Sequence, residues 1–215
     1  MSEKNDRPQI KICGLTGKEE AAYLNEAGVD YAGFVFYEKS KRNVSIRQAE
    51  EIAAGLNPGI RRVAVTVDPD EELVRKICEA GFDLLQVHGA FGREACAACI
   101  VPVWMAVNIA DPAQILSNFR KAQEMAGDRL AALVADGAGY GSGKPFDWEQ
   151  TKEQLKQVAE GYRLVLAGGL NAENVCQGIR IFEPDIVDVS SGVEDGNGKS
   201  RTKIQQFAGK VKAYE

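Results

Sequence analysis

Residues 163–193, RLVLAGGLNAENVCQGIRIFEPDIVDVSSGV, hold two short apolar runs, each leading into a turn of small residues, with a segment of helical spacing between them. The first run, 163–168, meets Ala167-Gly168-Gly169-Leu170-Asn171; the second, 185–191, meets Ser190-Ser191-Gly192-Val193. Strand, helix and strand within about 30 residues is the parallel β-α-β unit. Six similar runs precede it, at 9–13 (QIKIC), 30–36 (DYAGFVF), 61–67 (RRVAVTV), 83–88 (DLLQVH), 102–108 (PVWMAVN) and 130–136 (LAALVAD). Most are near-continuously apolar, the pattern of strands buried on both faces.

The segments between them carry helix starts. Thr16 with Glu19 and Ser45 with Gln48 read as capping boxes, while Asp68-Pro69 and Asp111-Pro112 place an acceptor before a proline suited to the first helical turn. An internal echo, Glu26-Ala27-Gly28-Val29-Asp30 and Glu79-Ala80-Gly81-Phe82-Asp83, puts a helix-stopping glycine two residues before a strand in each copy. Eight such units in 215 residues predict one (β/α)8 barrel domain spanning residues 1–215, with short loops. An open doubly wound sheet is the competing architecture. It normally carries G-x-G-x-x-G after its first strand, where this chain has Cys13-Gly14-Leu15-Thr16-Gly17.

Composition narrows the functional classes. The net charge is −5, and no lysine and arginine cluster is interleaved with aromatics, so nucleic acid is not an expected partner. No run approaches the ~20 apolar residues of a membrane span, and the polar start MSEKNDRPQ shows no targeting signal, so a soluble, cytoplasmic protein is expected. Five cysteines, odd in number and irregularly spaced, predict free thiols. Cys96-x-x-Cys99 lacks a second pair, and the sole histidine belongs to another strand end, so no metal site is expected. Those two cysteines, with Cys78 and Cys176, read as packing residues on helices.

In a barrel, reacting groups sit where strands end. Strand one ends in Cys13, strand four in His88 and strand six in Asp136, while strand two runs into the basic loop Lys39-Ser40-Lys41-Arg42. The turns after strands seven and eight, with Gly168, Gly169, Ser190, Ser191 and Gly192, expose backbone N–H groups suited to a phosphate. Lys11 shares the face of Cys13, and a nearby ammonium would favour thiolate. An unpaired carboxylate at Asp136 would be costly unless it faces the barrel mouth. His88 reads either as a ligand contact or as a hydrogen-bonded core imidazole, and Arg42 as either an anion partner or solvated surface. Asp188, inside strand eight, is expected to pair with Lys11. Residues 136–144, DGAGYGSGK, fail the P-loop pattern because Ala138 stands at its first glycine and Pro145 at its Ser/Thr; a substrate cover and an exposed connector both fit them.

Taken in order, Lys11-Ile12-Cys13-Gly14-Leu15-Thr16, Gly33-Phe34-Val35-Phe36, Ser40-Lys41-Arg42-Asn43-Val44-Ser45, Gln86-Val87-His88-Gly89, residues 141–148 (GSGKPFDW), residues 166–175 (LAGGLNAENV) and residues 188–194 (DVSSGVE) resemble the phosphoribosylanthranilate isomerase family. The resemblance covers nearly the whole chain. It implies a (β/α)8 barrel and an Amadori rearrangement of N-(5-phosphoribosyl)anthranilate in tryptophan biosynthesis, with no cofactor. It further implies Cys13 as general base, Asp136 as general acid, Arg42 on the anthranilate carboxylate, and phosphate held around Gly169 and Ser191-Gly192. A monomer or a homodimer is expected.

The chain departs from the family pattern at Met105 and Asn108 in strand five, at the end of strand three, and at Lys199-Ser200-Arg201. These departures leave two alternatives to weigh: a non-catalytic phosphometabolite-binding barrel, and another phosphosugar enzyme. A metal-dependent epimerase would need several histidines, and the chain has one.

Overall fold

The computed structural model describes residues 7–109, 112–136, 148–159, 161–196 and 198–214. Each apolar run is a strand: β1 (Gln9–Cys13), β2 (Tyr31–Phe36), β3 (Arg61–Val67), β4 (Leu84–His88), β5 (Val103–Asn108), β6 (Leu130–Asp136), β7 (Arg163–Leu166) and β8 (Ile186–Val189). They pair in sequence order, all parallel, and β1 also pairs with β8, so the sheet closes into a barrel. Closure excludes the open doubly wound sheet. Helices α1 (Glu19–Ala27), α2 (Ile46–Ala53), α3 (Glu71–Glu79), α4 (Arg93–Ala98), α5 (Ile115–Ala126), α6 (Trp148–Ala159), α7 (Val175–Phe182) and α8 (Arg201–Lys212) follow the strands in turn. A short antiparallel ribbon, β9 (Glu194–Asp195) with β10 (Gly198–Lys199), intervenes between β8 and α8. Among the described residues no helix is long and apolar enough to cross a membrane.

Strand side chains alternate between two cores. Outward residues such as Ile12, Phe34 and Met105 pack against Leu24, Ile77, Ile204 and Phe207 of the helices. Each of these helix side chains is fully buried and contributes roughly 1.5–3 kcal/mol relative to exposure. Inward residues Tyr31, Val63, Leu84, Trp104, Ala132, Val165 and Ile186 fill the barrel, with Trp104 edge-on to Tyr31 at 5.1 Å. Below them the Tyr31 hydroxyl donates to Gln9 and accepts from Arg61 and Arg163, closing the N-terminal end with polar groups. The same alternation then carries Lys11, Gln86 and Asp188 into the barrel above the apolar layer, and Cys13, His88 and Asp136 above those.

Two of the helix starts differ from expectation. Ser45 and Gln48 form the capping box. Thr16 does not cap α1, which begins only after Lys18; instead the buried Glu20 carboxylate reaches back to the amides of Thr16 and Gly17. Asp68 does not cap α3 either. It turns aside in a left-handed conformation to accept from the amide of Ala90, and Asp70 takes the cap by accepting from Leu73. Gly28 and Gly81 both take left-handed backbone after their helices, so the echo is structural. Asp111 lies outside the described residues. All five cysteines are free thiols; Cys96 and Cys99 donate to the carbonyls of Ala126 and Val101 and pack as expected.

Candidate active site

A cavity of about 370 Å³ opens at the C-terminal ends of the strands. It brings together Cys13 of β1, Arg42 of the loop after β2, His88 of β4, Asp136 of β6, Gly168 and Gly169 after β7, and Ser190 and Ser191 after β8. The residues singled out in sequence thus converge on one space, with Gly192 immediately behind it. Residues 137–147, the glycine-rich segment, lie outside the described residues.

The floor is a buried ion pair. β1 and β8 are registered with Lys11 opposite Asp188, and Lys11 Nζ lies 2.7 Å from Asp188 Oδ2. Burial opposes the Lys11 ammonium, yet Asp188, with help from the Cys13 sulfur, carries its pKa above the ordinary lysine value. The expectation that Lys11 makes Cys13 a thiolate needs correction. Burial pushes the Cys13 thiol up, and the opposing pull of Lys11 and Lys199 does not overcome it, in part because Asp188 stands beside Lys11. With its pKa above the ordinary thiol value, Cys13 favours the thiol form near neutral pH. His88 is neutral for a similar reason: burial and the repulsion of Lys11 lower it to about 4, and Gln86 Nε2 lies 3.0 Å from His88 Nε2.

A group of exposed backbone amides is built from the two loops the sequence marked. Asn171 and Asn174 shape the loop after β7, with the Asn174 side-chain amide donating to the Gly169 carbonyl and Asn171 accepting from Glu173 and Asn174. Gly168 and Gly169 take φ of 81° and 72°, a region that side chains other than glycine seldom adopt. Gly192 packs directly under this loop: a Cβ there would stand 2.0 Å from the Leu170 carbonyl oxygen. The amides of Gly168, Gly169, Ser191 and Gly192 donate to no protein acceptor among the described residues. Such a group of unpaired donors is what an anion requires.

Arg42 is not loose surface. Its Nε and Nη2 donate to the two carboxylate oxygens of Glu194, at 2.5 and 3.0 Å. Lys199 Nζ reaches the same carboxylate at 2.8 Å and also donates to the backbone and hydroxyl oxygens of Ser190. The Ser190 hydroxyl in turn donates to the Cys13 carbonyl at 2.9 Å. Burial by itself would raise the Glu194 carboxyl, but hydrogen bonds from Arg42 and Lys199 bring it down to about 2. Sequence reasoning missed Glu194 and saw Lys199 only as a departure. The signal in the sequence was Gly196-Asn197, a turn-type dipeptide; in the structure Gly198 pairs with Asp195 and Lys199 with Glu194.

The strand-five departures separate. Met105 is fully buried among outward residues, on the helix side of the sheet, and cannot border the mouth. Asn108, three residues on and therefore of opposite parity, ends β5 beside Asp136.

Comparisons with known proteins agree with this geometry. The family model described as N-(5'phosphoribosyl)anthranilate (PRA) isomerase matches residues 10–210. The N-(5'-phosphoribosyl)anthranilate isomerase of Hahella chejuensis is 36% identical over 222 residues, covering 100% of both chains. Monomers of the dimeric phosphoribosylanthranilate isomerase of Thermotoga maritima are 34% identical, with a TM-score of 0.78 over 95% of this chain and 98% of theirs. A phosphoribosyl anthranilate isomerase in complex with reduced 1-(o-carboxyphenylamino)-1-deoxyribulose 5-phosphate is 31% identical, with a TM-score of 0.79 and the same coverage. Neither alternative raised by the departures is favoured by these matches. Because the family match runs from β1 into α8 and so takes in every strand end around the cavity, this chain belongs to the N-(5'-phosphoribosyl)anthranilate isomerase family.

Proposed function

We propose that the chain converts N-(5'-phosphoribosyl)anthranilate to 1-(2-carboxyphenylamino)-1-deoxyribulose 5-phosphate in tryptophan biosynthesis, with Asp136 as general acid and Cys13 as general base. The observation that carries this reading is the meeting of both side chains in one cavity, with unpaired amides around Gly169 and Gly192 on one side and Arg42 on another. Phosphate on the amides and the aryl carboxylate on Arg42 would hold the ribose between the two groups, so that proximity replaces diffusion. Asp136 gives its proton to the furanose ring oxygen, the ring C–O bond breaks, and an iminium forms between C1 and the anthranilate nitrogen. The Cys13 thiolate, the minor form that the thiol gives up its proton to reach, then takes the C2 proton, and that C–H electron pair neutralises the iminium to an enolamine. Proton gain at C1 and loss from the C2 hydroxyl gives the ketone. Buried neutral His88 sits beside this path as a contact for substrate hydroxyls rather than as a cation.

Loss of substrate fluorescence with purified protein is the assay. Cys13→Ala and Asp136→Asn are each expected to lower kcat by about 10²–10⁴-fold while leaving the thermal transition near that of the parent. Turnover at the parental rate in either variant would remove the assigned role. The state in solution is proposed to be a monomer or a homodimer, resolved by light scattering.

A further inference from the structure

We propose that Glu194 is a positioning residue that sets which edge of Arg42 meets the substrate, and that through Lys199 it ties this edge to the phosphate side of the cavity. The inference rests on the reading of Arg42 as the partner of the aryl carboxylate. A guanidinium carries five N–H groups in a fixed fork. Glu194 engages Nε and one proton of Nη2, which leaves both protons of Nη1 and the second proton of Nη2 as a complete second fork. The stem of Arg42 is clamped as well, since it lies so close over Gly14 that a Cβ there would meet its Cδ at 2.4 Å. With the side chain only 14% exposed and lining the cavity, the remaining fork has little freedom of direction.

Glu194 is itself fixed from the other side. Lys199, whose side chain is 1% exposed, bonds the carboxylate and both oxygens of Ser190, and its backbone amide donates to Glu20. Lys41 adds a third cation from solvent at 3.0 Å. Three cations around one carboxylate leave a local surplus of positive charge. Two roles for Glu194 therefore predict opposite signs. If it only neutralised cations or competed with the substrate carboxylate, removing its charge would tighten anion binding. If it orients Arg42, removing its charge weakens the binding of ligands that bear the aryl carboxylate and spares those that lack it.

The test measures inhibition constants for reduced 1-(2-carboxyphenylamino)-1-deoxyribulose 5-phosphate and for its phenylamino counterpart without the carboxylate. The proteins are the parent, Arg42→Met, Glu194→Gln, Glu194→Asp and the Arg42→Met, Glu194→Gln double variant, each first checked for a cooperative thermal transition. The parent is expected to prefer the carboxylated compound by about tenfold or more, as a charge-assisted fork supplies. Glu194→Gln is expected to lose roughly tenfold of that preference and to raise KM more than it lowers kcat. Glu194→Asp should restore part of the preference, and the double variant should resemble Arg42→Met, because Glu194 acts through that residue. A Glu194→Gln protein that kept the parental preference, or bound the carboxylated compound more tightly, would overturn the proposal. An Arg42→Met protein that kept the preference would instead overturn the reading of Arg42 on which it rests.

Discussion

His88 offers the cleanest quantitative test of the barrel's electrostatics, because it is the chain's sole histidine. Burial and the neighbouring Lys11 ammonium lower its pKa from the ordinary value near 6.5 to about 4. The unfolded chain therefore takes up this proton first on acidification. Stability associated with His88 is fully present above about pH 6.5 and is lost progressively as the pH falls towards 4. At about 1.4 kcal/mol per decade, the whole gap corresponds to roughly 3 kcal/mol, and most of it, about 2 kcal/mol, is lost between pH 7 and pH 4.5. Glu194, held near 2, titrates below this window. Urea unfolding of the parent and of His88→Asn at pH 7, 6, 5 and 4.5 isolates the effect, since the variant should lack that part of the pH dependence. The histidine ring proton in NMR should titrate near 4 in the folded protein. Identical pH slopes in the two proteins, or a folded midpoint near 6.5, would refute the account of a buried neutral imidazole repelled by Lys11.

Other consequences can be checked alongside. If Cys13 is the base and burial holds its pKa above that of an ordinary thiol, kcat/KM should climb with pH through neutrality and past about 8.5, because the active form is deprotonated; a profile flat from pH 7 to 9 would exclude it as the base of the free enzyme. Lys11→Met should leave the buried Asp188 carboxylate without its cation at a cost of about 3–5 kcal/mol, with a large part recovered by adding Asp188→Asn; urea unfolding measures both, and a single-variant cost under about 1 kcal/mol would contradict the pairing. Gly192→Ala must move the loop after β7, since its Cβ would collide with the Leu170 carbonyl. It should therefore raise KM for phosphorylated substrate by about tenfold or more while destabilising by about 1–3 kcal/mol, and an unchanged KM would separate that loop from phosphate binding.

The eight-strand barrel was legible in the linear chain because backbone pairing and burial act on local pattern. Runs such as 61–67 and 130–136 are short and apolar at their centres, as strands buried on both faces are, and their alternation with helical segments leaves few ways to close a sheet. Cys13, His88 and Asp136 stood out for the same reason, since a strand end is a position in sequence as well as in space. What those side chains do to one another was decided only by the tertiary structure. The β1–β8 register commits Lys11 to Asp188, and burial then overrides the ammonium that should have made Cys13 a thiolate. Strand parity turns Met105 away from the mouth although it lies near it in sequence. Glu194 reaches Arg42 across 152 residues of chain. Charge partnership and desolvation depend on distances through folded space, and no periodicity in the sequence encodes those.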